Sequence, residues 1–209
     1  MAPLDTRTRI LDAAERLFAE RGFRGTSVRA ITDLAGANLA AIGYHFGSKA
    51  ELLAAVARRA IEPITTAQSA GLDRLLARSP DPSVTELVEA FAGPLFDEMP
   101  VGDEGGARTA RLIVTIITDP AEEVRSWTGP VEDTVGERFL AAFARALPGL
   151  PPEELWFRIR GVLAVTAVDR VEVYNRRLPA GLSPAAGEAG RRWAITFLAA
   201  AMSAPPTPA

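Results

Sequence analysis

The sequence predicts an all-α protein with an N-terminal three-helix helix-turn-helix domain and a C-terminal helical bundle. Two observations lead to this prediction. Residues 27–46 carry apolar side chains at the three- and four-residue spacing of helical faces, with an interruption at Gly36. From residue 64 onward, further helical patterns alternate with Pro and Gly, and no convincing period-two alternation indicates a strand.

The first helix is predicted from about Asp5 to Arg21. Asp5 favours the N-terminus of this helix because a negative charge there complements the helix dipole. Gly22 ends the helix. The predicted buried stripe comprises Ile10, Ala14, Leu17 and Phe18.

Two short helices joined by a tight turn follow the first helix. Ser27 or Thr26 can cap the first of them, and Gly36 stops it. Asn38 is a good cap for the second, which runs to about His45. This arrangement predicts a helix-turn-helix motif.

A long helix begins at Lys49, and Ser48 is its predicted cap. Pro63 must kink or end this helix, because proline has no backbone N–H and its ring clashes with the preceding turn. We therefore expect a first domain at residues 1–62 and a second at 63–209. The residues that close the small core of the first domain are Leu52, Leu53 and Val56.

The second domain shows helical patterns throughout. The breaks between them contain Pro and Gly, and the last six residues are Pro-rich and predicted to be frayed. The predicted helices cover about residues 64–78, 84–98, 104–118, 120–147, 153–177 and 184–203.

The helix-turn-helix motif points to DNA, because such a motif places its second helix in the major groove. The same spacing also occurs in helical proteins that never bind DNA. The predicted DNA-binding residues are Thr26, Ser27, Arg29, Asn38, Leu39, Ala40, Gly43, Tyr44, His45 and Lys49.

These residues have different predicted roles. Tyr44 and Lys49 are phosphate candidates, because one ends the reading helix with a hydroxyl and the other places an ammonium beside a helix N-terminus. Leu39 and Ala40 offer no hydrogen bonds, so they can sense only thymine methyl groups. Asn38 can serve as a cap or as a reader.

The flanking sequences, TRILDAAERLFAERGFRGTSVRAI and YHFGSKAELLAAV, resemble the N-terminal domain of the tetracycline-repressor (TetR) family over about the first sixty residues. The patterns that match are Ile-x-x-Ala-Ala-x-x-Leu-Phe, Gly-Phe-x-x-Thr-Ser and Tyr-His-Phe-x-x-Lys. Two positions depart from the family: Gly43, where an aromatic residue is usual, and Leu39, where polar residues are common. The resemblance implies that double-stranded DNA is a partner and that Arg29 contacts a guanine.

The charge distribution fits a DNA-binding head. The whole chain has a formal net charge of −3. Residues 1–60 contain nine basic and six acidic side chains, so this part carries 9 − 6 = +3 and the remainder carries −6. A basic head on an acidic body suits a polyanion at one end only.

The last two long helices predict a dimer. Residues 161–168, GVLAVTAV, are apolar or small on every face, so other helices must surround them. Pairing with a second chain would do this, as the resemblance also implies, whereas an ordinary intramolecular core is the alternative. The predicted interface residues are Val162, Val165, Trp193, Phe197, Leu198 and Met202.

The resemblance further implies a small-molecule pocket in the C-terminal domain, whose occupancy shifts the spacing of the two DNA heads. Large side chains cluster in the middle helices, although such residues also form plain cores. The predicted pocket residues are Phe91, Phe96, Met99, Arg111, Trp127 and Trp156.

We therefore predict a cytoplasmic, homodimeric transcriptional regulator, a repressor that a small apolar ligand releases from an inverted-repeat operator. The alternative is a helical interaction protein with a non-functional DNA-binding head. An enzyme is not expected, because the chain has no Cys, His45 is the single histidine, and no nucleophile elbow or P-loop is present. No cofactor, metal site or membrane span is predicted.

Overall fold

The computed structural model describes residues 5–118, 134–171 and 187–208. Within these ranges every regular element is a helix, so the all-α prediction is confirmed. The described helices are α1 (Thr6–Gly25), α2 (Val28–Ala35), α3 (Ala40–Phe46), α4 (Lys49–Arg78), α5 (Val84–Glu98), α6 (Glu104–Thr118), α7 (Thr134–Ala146), α8 (Pro152–Asp169) and α9 (Gly187–Met202). None of these helices is long and apolar enough to cross a bilayer.

The chain forms two compact units. The first contains the described residues up to Glu62 and the part of α6 from Arg108 onward, and the second contains the rest. The sequence prediction had placed all residues after 62 in the second domain. The structure differs because Leu112 and Ile116 of α6 are buried in the same core as α1.

The core of the first unit is built from the predicted apolar stripes. Every member of the α1 stripe is buried, and Phe18 stacks on Phe23 with ring centroids 6.2 Å apart. Burying one such side chain stabilises the fold by about 1.5–3 kcal/mol. The other helices contribute Ile31, Ile42, Leu52, Leu53 and Val56.

The caps of the first unit follow the sequence prediction. Asp5 accepts a hydrogen bond from the backbone N–H of Thr8 at 2.7 Å, which lowers the pKa of its carboxyl group. Ser27 caps α2, and Gly36 ends α2 at a φ of 60°, in the left-handed region that favours glycine. The hydroxyl oxygen of Ser48 accepts a hydrogen bond from the backbone N–H of Glu51 at 3.1 Å and caps α4.

The prediction that Gly22 ends the first helix is wrong, and of the two outcomes predicted for Pro63 the structure excludes a helix end. Gly22 has a φ of 69° and interrupts α1, but one more turn follows it to Gly25. Pro63 does not end α4, which continues to Arg78 and includes the predicted separate helix at 64–78. A proline removes one backbone hydrogen bond, and the burial of Val56 and Ile64 on either side helps to hold α4 together.

The core of the second unit contains side chains of α4, α5, α7, α8 and α9. Its centre is an aromatic cluster in which Phe91 lies 4.9 Å from Phe139 and 6.2 Å from Phe143, measured between ring centroids. The bounds of α5 and α6 are those predicted. Helix α8 ends at Asp169, before the predicted end at 177; residues 172–177 and 120–133 lie outside the described residues.

The C-terminal tail is held in place, so the prediction that it is frayed is wrong for residues 204–207. Arg158 of α8 donates hydrogen bonds to the carbonyl oxygens of Met202 at 2.8 Å, Ala204 at 2.6 Å and Pro205 at 2.9 Å. Glu154 accepts from Arg158 and from the backbone N–H of Thr207. We call Glu154, Arg158 and residues 202–207 the C-terminal clasp.

Candidate nucleic-acid interface

The turn between α2 and α3 is fixed by hydrogen bonds. The N–H of Ala37 donates to the carbonyl oxygen of Thr32 at 3.0 Å. The guanidinium of Arg9 in α1 donates to the carbonyl oxygens of Ala35 at 3.0 Å and Gly36 at 3.3 Å, at the end of α2. A cation at a helix C-terminus is favourable because it meets carbonyl groups that have no partner within the helix. Arg9 thereby ties α1 to the turn that orients α3.

Helix α3 has a buried side and an exposed side. Ile42 is buried in the core, and Phe46 is half-buried beneath the guanidinium of Arg7, whose central carbon lies 5.2 Å from the ring centroid. On the opposite side Tyr44 is 86% exposed and Leu39 is 60% exposed. Ala40 and Gly43 are also exposed, so these four predicted residues share the solvent side of α3.

Asn38 acts as a cap of α3. Its side-chain oxygen accepts a hydrogen bond from the backbone N–H of Ala41 at 2.9 Å. This geometry satisfies one of the donors that the first turn of a helix leaves without an intrahelical partner.

The structure corrects the prediction for Thr26. Its side chain is 1% exposed, and its hydroxyl lies within hydrogen-bond distance of the carbonyl oxygens of Leu17 at 3.0 Å and Gly22 at 2.8 Å. The hydroxyl therefore joins α2 to the end of α1 and cannot reach a phosphate. Ser27, in contrast, is exposed.

The ammonium of Lys49 is not directed outward, as the predicted phosphate contact would require. Its ammonium donates to the carbonyl oxygens of Phe23 at 2.9 Å and Thr26 at 3.0 Å, and it lies 4.1 Å from the centroid of the Phe23 ring. A cation over an aromatic face is attracted by the electrons of the ring. Lys49 thus links the start of α4 to the junction of α1 and α2, and its charge is directed into the protein.

Three more residues complete the basic and aromatic surroundings of α3. Arg29, the predicted guanine contact, is exposed on α2. His45 is half-buried, and its ring packs edge-on against Tyr44 with centroids 4.9 Å apart. Arg7 of α1 lies over Phe46, a position that depends on the packing of α1 against α3 and not on a local motif.

The predicted dimer residues divide into two groups. Val162, Leu198 and Met202 are buried in the core of the second unit, so the structure corrects their assignment to an intermolecular surface. They pack against helices of the same chain. In contrast, Trp193 is 66% exposed, Phe197 is 61% exposed and Val165 is also exposed.

Phe157 of α8 is exposed as well, although it is not among the interface residues predicted from the sequence. It lines a cavity of about 330 Å³ together with Val165 and Phe197. Val165 and Phe197 also line a second cavity, of about 240 Å³, together with Trp193. We call Phe157, Val165, Trp193 and Phe197 the α8–α9 face.

The predicted pocket residues that the structure describes lie in different surroundings. Phe91, Phe96 and Met99 are buried side chains of the second unit, where close packing explains their size. Arg111 belongs to the first unit, and Trp156 is half-exposed on α8. Trp127 lies outside the described residues.

A cleft of about 550 Å³ lies elsewhere in the second unit, between α4, α5 and α9. Its charged lining comprises Arg74, Arg78, Glu86, Glu89, Asp97 and Arg191. Arg191 of α9 pairs with Glu89 and Asp97 of α5 across this cleft. Gly93 permits that pairing, because a Cβ at position 93 would lie only 2.6 Å from the Arg191 guanidinium.

Two sequence profiles of known families match the chain. The profile of "Bacterial regulatory proteins, tetR family" matches residues 10–56, which include α2 and α3. The profile of "Tetracyclin repressor-like, C-terminal domain" matches residues 89–201.

Individual relatives match over part of their length. The transcriptional repressor AcnR of Corynebacterium efficiens is 43% identical over 56 residues, which are 27% of this chain and 30% of AcnR. The transcriptional regulatory protein RaaS of Mycobacterium tuberculosis is 32% identical over 126 residues, which are 58% of this chain and 56% of RaaS. The match therefore spans about a third of the first relative and about half of the second.

A solved structure has the same fold over nearly the whole chain. The TetR family transcriptional regulator PfmR from Thermus thermophilus superposes with a TM-score of 0.60 and 22% sequence identity, covering 99% of this chain and 100% of PfmR. The C-terminal profile alone matches more than half of the chain, and the N-terminal profile covers the helix-turn-helix. This chain belongs to the TetR family of bacterial regulatory proteins.

Proposed function

We propose that the protein is a transcriptional repressor that binds operator DNA as a homodimer. The observation that carries this proposal is the solvent side of α3, where Leu39 at the start of the helix and Ala40, Gly43 and Tyr44 within it are exposed. Arg9 holds the turn that precedes this helix. A recognition helix needs such a rigid, exposed side to enter the major groove. The names of AcnR and of KstR2 from Rhodococcus jostii support the direction of regulation, since both are repressors.

Phosphate binding in this proposal falls to exposed groups around α3. Arg7 is an exposed cation of the first unit, and Tyr44 offers a phenolic hydroxyl, whereas Arg29, which is also exposed, is assigned to a guanine. Ser27 lies at the N-terminus of α2, where the helix dipole favours an anion. Lys49 has a positioning role, since its ammonium is directed at the carbonyl oxygens that precede α2.

The proposed homodimer uses the α8–α9 face. Four large apolar side chains on one side of two neighbouring helices are an unfavourable surface to leave in water. A two-fold axis would pack this face against its copy and form a four-helix interface. Two recognition helices related by that axis would read an inverted repeat, with half-sites one DNA turn or a multiple of it apart.

We further propose that the second unit binds a small molecule that weakens operator binding. The cleft of about 550 Å³ has a volume within the range of small-molecule sites. Its lining carries three arginines and three carboxylates, so a polar or charged ligand fits it better than the apolar ligand predicted from sequence. A coupling of about 1–3 kcal/mol would change operator affinity by roughly 5- to 150-fold.

Selection from a random pool of double-stranded DNA tests the proposal. We expect the full-length protein to enrich an inverted repeat, and binding to the enriched sequence to fall steeply as salt rises, because phosphate contacts release counterions. A matched pair of variants completes the experiment. Arg29→Ala should weaken binding, whereas Arg16→Ala, which removes the partner of Glu20 on the surface of α1, should not. If no sequence is enriched, the proposal is wrong.

A further inference from the structure

The solvent side of α3 has an unusual composition for a surface that meets base edges. Leu39, Ala40 and Gly43 carry no side-chain hydrogen-bond donor or acceptor. Leu39 nevertheless exposes 60% of its surface at the start of the helix. The central part of this side can therefore make only apolar contacts.

Two polar side chains beside this apolar stretch make contacts within the protein. The side-chain oxygen of Asn38 caps the helix, and the ring of His45 is half-buried against Tyr44. Tyr44 lies one helical turn beyond Ala40, at the far end of the exposed side. Hydrogen-bonded readout by α3 is therefore weak where Leu39 and Ala40 approach the bases.

The major groove presents one apolar group on its base edges, the C5 methyl group of thymine. The other edges carry donors and acceptors that are hydrated in free DNA. A leucine placed against them would remove this water without replacing its hydrogen bonds, which is unfavourable. Leu39 would thus favour thymine both by contact with its methyl group and by disfavouring the other bases.

We infer that Leu39 and Ala40 determine specificity by binding thymine methyl groups, so that each operator half-site contains thymine at the positions they face. Gly43 assists by leaving the middle of this side without a side chain. An added Cβ at Gly43 would meet no atom within 4 Å apart from its chain neighbours and the nearby backbone of its own helix, so packing inside the protein does not require glycine there. The inference rests on the proposed DNA-binding function and specifies which chemical group the reading helix recognises.

Replacement of single thymines by deoxyuridine tests the inference, because this change removes only the C5 methyl group. The experiment uses the full-length protein and the inverted repeat that it selects. We expect about a fourfold loss of affinity for each contacted methyl group, which corresponds to the free energy of burying one methyl or methylene group. The losses should be confined to one or two thymines in each half-site.

A double-mutant cycle tests whether Leu39 is the side chain that contacts the thymine methyl group. In the Leu39→Ala variant, deoxyuridine at the contacted position should cause little further loss. The matched control is Leu34→Ala, which changes another exposed leucine of the first unit but lies on α2, and it should keep the full sensitivity to deoxyuridine. Circular dichroism checks that both variants are folded.

The results of these experiments distinguish a failure of the proposed DNA binding from a failure of the assignment of Leu39. If no operator is selected at all, the proposed function fails. If an operator is bound but deoxyuridine never changes affinity, or if Leu39→Ala keeps the sensitivity of the parent, DNA binding stands and the inference about Leu39 is overturned.

Discussion

The two units both expose apolar side chains, but on surfaces of opposite character. On α3, Leu39 is followed by Ala40 and Gly43, and Arg7 lies over Phe46 at the other end of the helix. On the α8–α9 face, four large apolar side chains line two cavities that share residues. Exposure alone therefore does not define a partner. The size of the apolar side chains and the charge of the residues around them distinguish a surface suited to DNA from one suited to another pair of helices.

The largest expected effect comes from a charged side chain introduced into the α8–α9 face. Phe197→Asp should weaken dimerisation by a factor of about 1,000, because an interface aromatic contributes about 2 kcal/mol and the two-fold axis places it twice in the interface. Operator affinity should fall with it. Light scattering at micromolar concentration measures the change.

The matched control for this substitution is Glu188→Ala at the start of the same helix. The Glu188→Ala variant should have the same dimeric mass as the parent in light scattering. A dimeric Phe197→Asp variant, or a monomeric parent protein, would contradict the proposed interface.

The second prediction separates a structural role of Lys49 from a DNA-binding one. Lys49→Met should lower the free energy of unfolding by about 2 kcal/mol, because two carbonyl oxygens lose a charged donor and the Phe23 ring loses its cation. Chemical denaturation measures this loss. If Lys49 instead acts mainly on a phosphate, the variant will be as stable as the parent and the salt dependence of operator binding will drop by about one unit of slope.

The third prediction concerns Arg29, which is exposed on α2. Arg29→Ala should cost about 1–3 kcal/mol of operator binding and relax the preference at one base position, as expected for the loss of a guanine contact. The free energy of unfolding should not change. Equal operator binding by the variant and the parent would remove Arg29 from the interface.

A fourth prediction follows from the open space around Gly43. Gly43→Ala should raise the free energy of unfolding by about 0.5–1 kcal/mol, because alanine restricts the unfolded chain and the added Cβ meets no side chain within 4 Å. Thermal denaturation measures the gain. A loss of stability would show that position 43 requires glycine for a reason other than steric room.

The smallest expected effect concerns the C-terminal clasp. Hydrogen bonds from Arg158 and from the Thr207 N–H lower the pKa of Glu154 below its ordinary value of 4.5. A carboxyl group with a lowered pKa stabilises the folded state above its unfolded pKa, and this contribution is lost as the pH falls through the folded pKa. The parent should therefore be more stable than Glu154→Gln at neutral pH, with the difference fading below the ordinary pKa of 4.5. Thermal denaturation at several pH values measures it, and a difference that does not depend on pH would contradict the assignment.

The sequence predicts the first unit well because its signals are local. Ser27, Gly36 and Ser48 each act on a backbone group within a few residues, so their effect can be inferred from spacing. The role of Thr26 depends on a carbonyl oxygen of Leu17 that only tertiary packing brings near, and the sequence therefore suggested a surface role that is wrong.

The second unit is harder to predict because its helices are apolar on more than one side. In α9, Trp193 and Phe197 lie four residues apart and are exposed, whereas Leu198 and Met202 lie four residues apart and are buried. Both pairs satisfy the spacing of a helical stripe. Periodicity shows that each pair shares a side of the helix, but it does not show which side packs against the same chain.

The burial of Leu112 and Ile116 in the first unit affects how this protein can be divided or recombined. A fragment that ends at Glu62 would lack both side chains and would expose the apolar surface that they cover. A chimaera that joins this head to the body of a relative at that position would need the relative's sixth helix to supply side chains of similar volume. Exchange of DNA specificity between family members is therefore better attempted by transplanting the solvent side of α3 than by swapping whole heads.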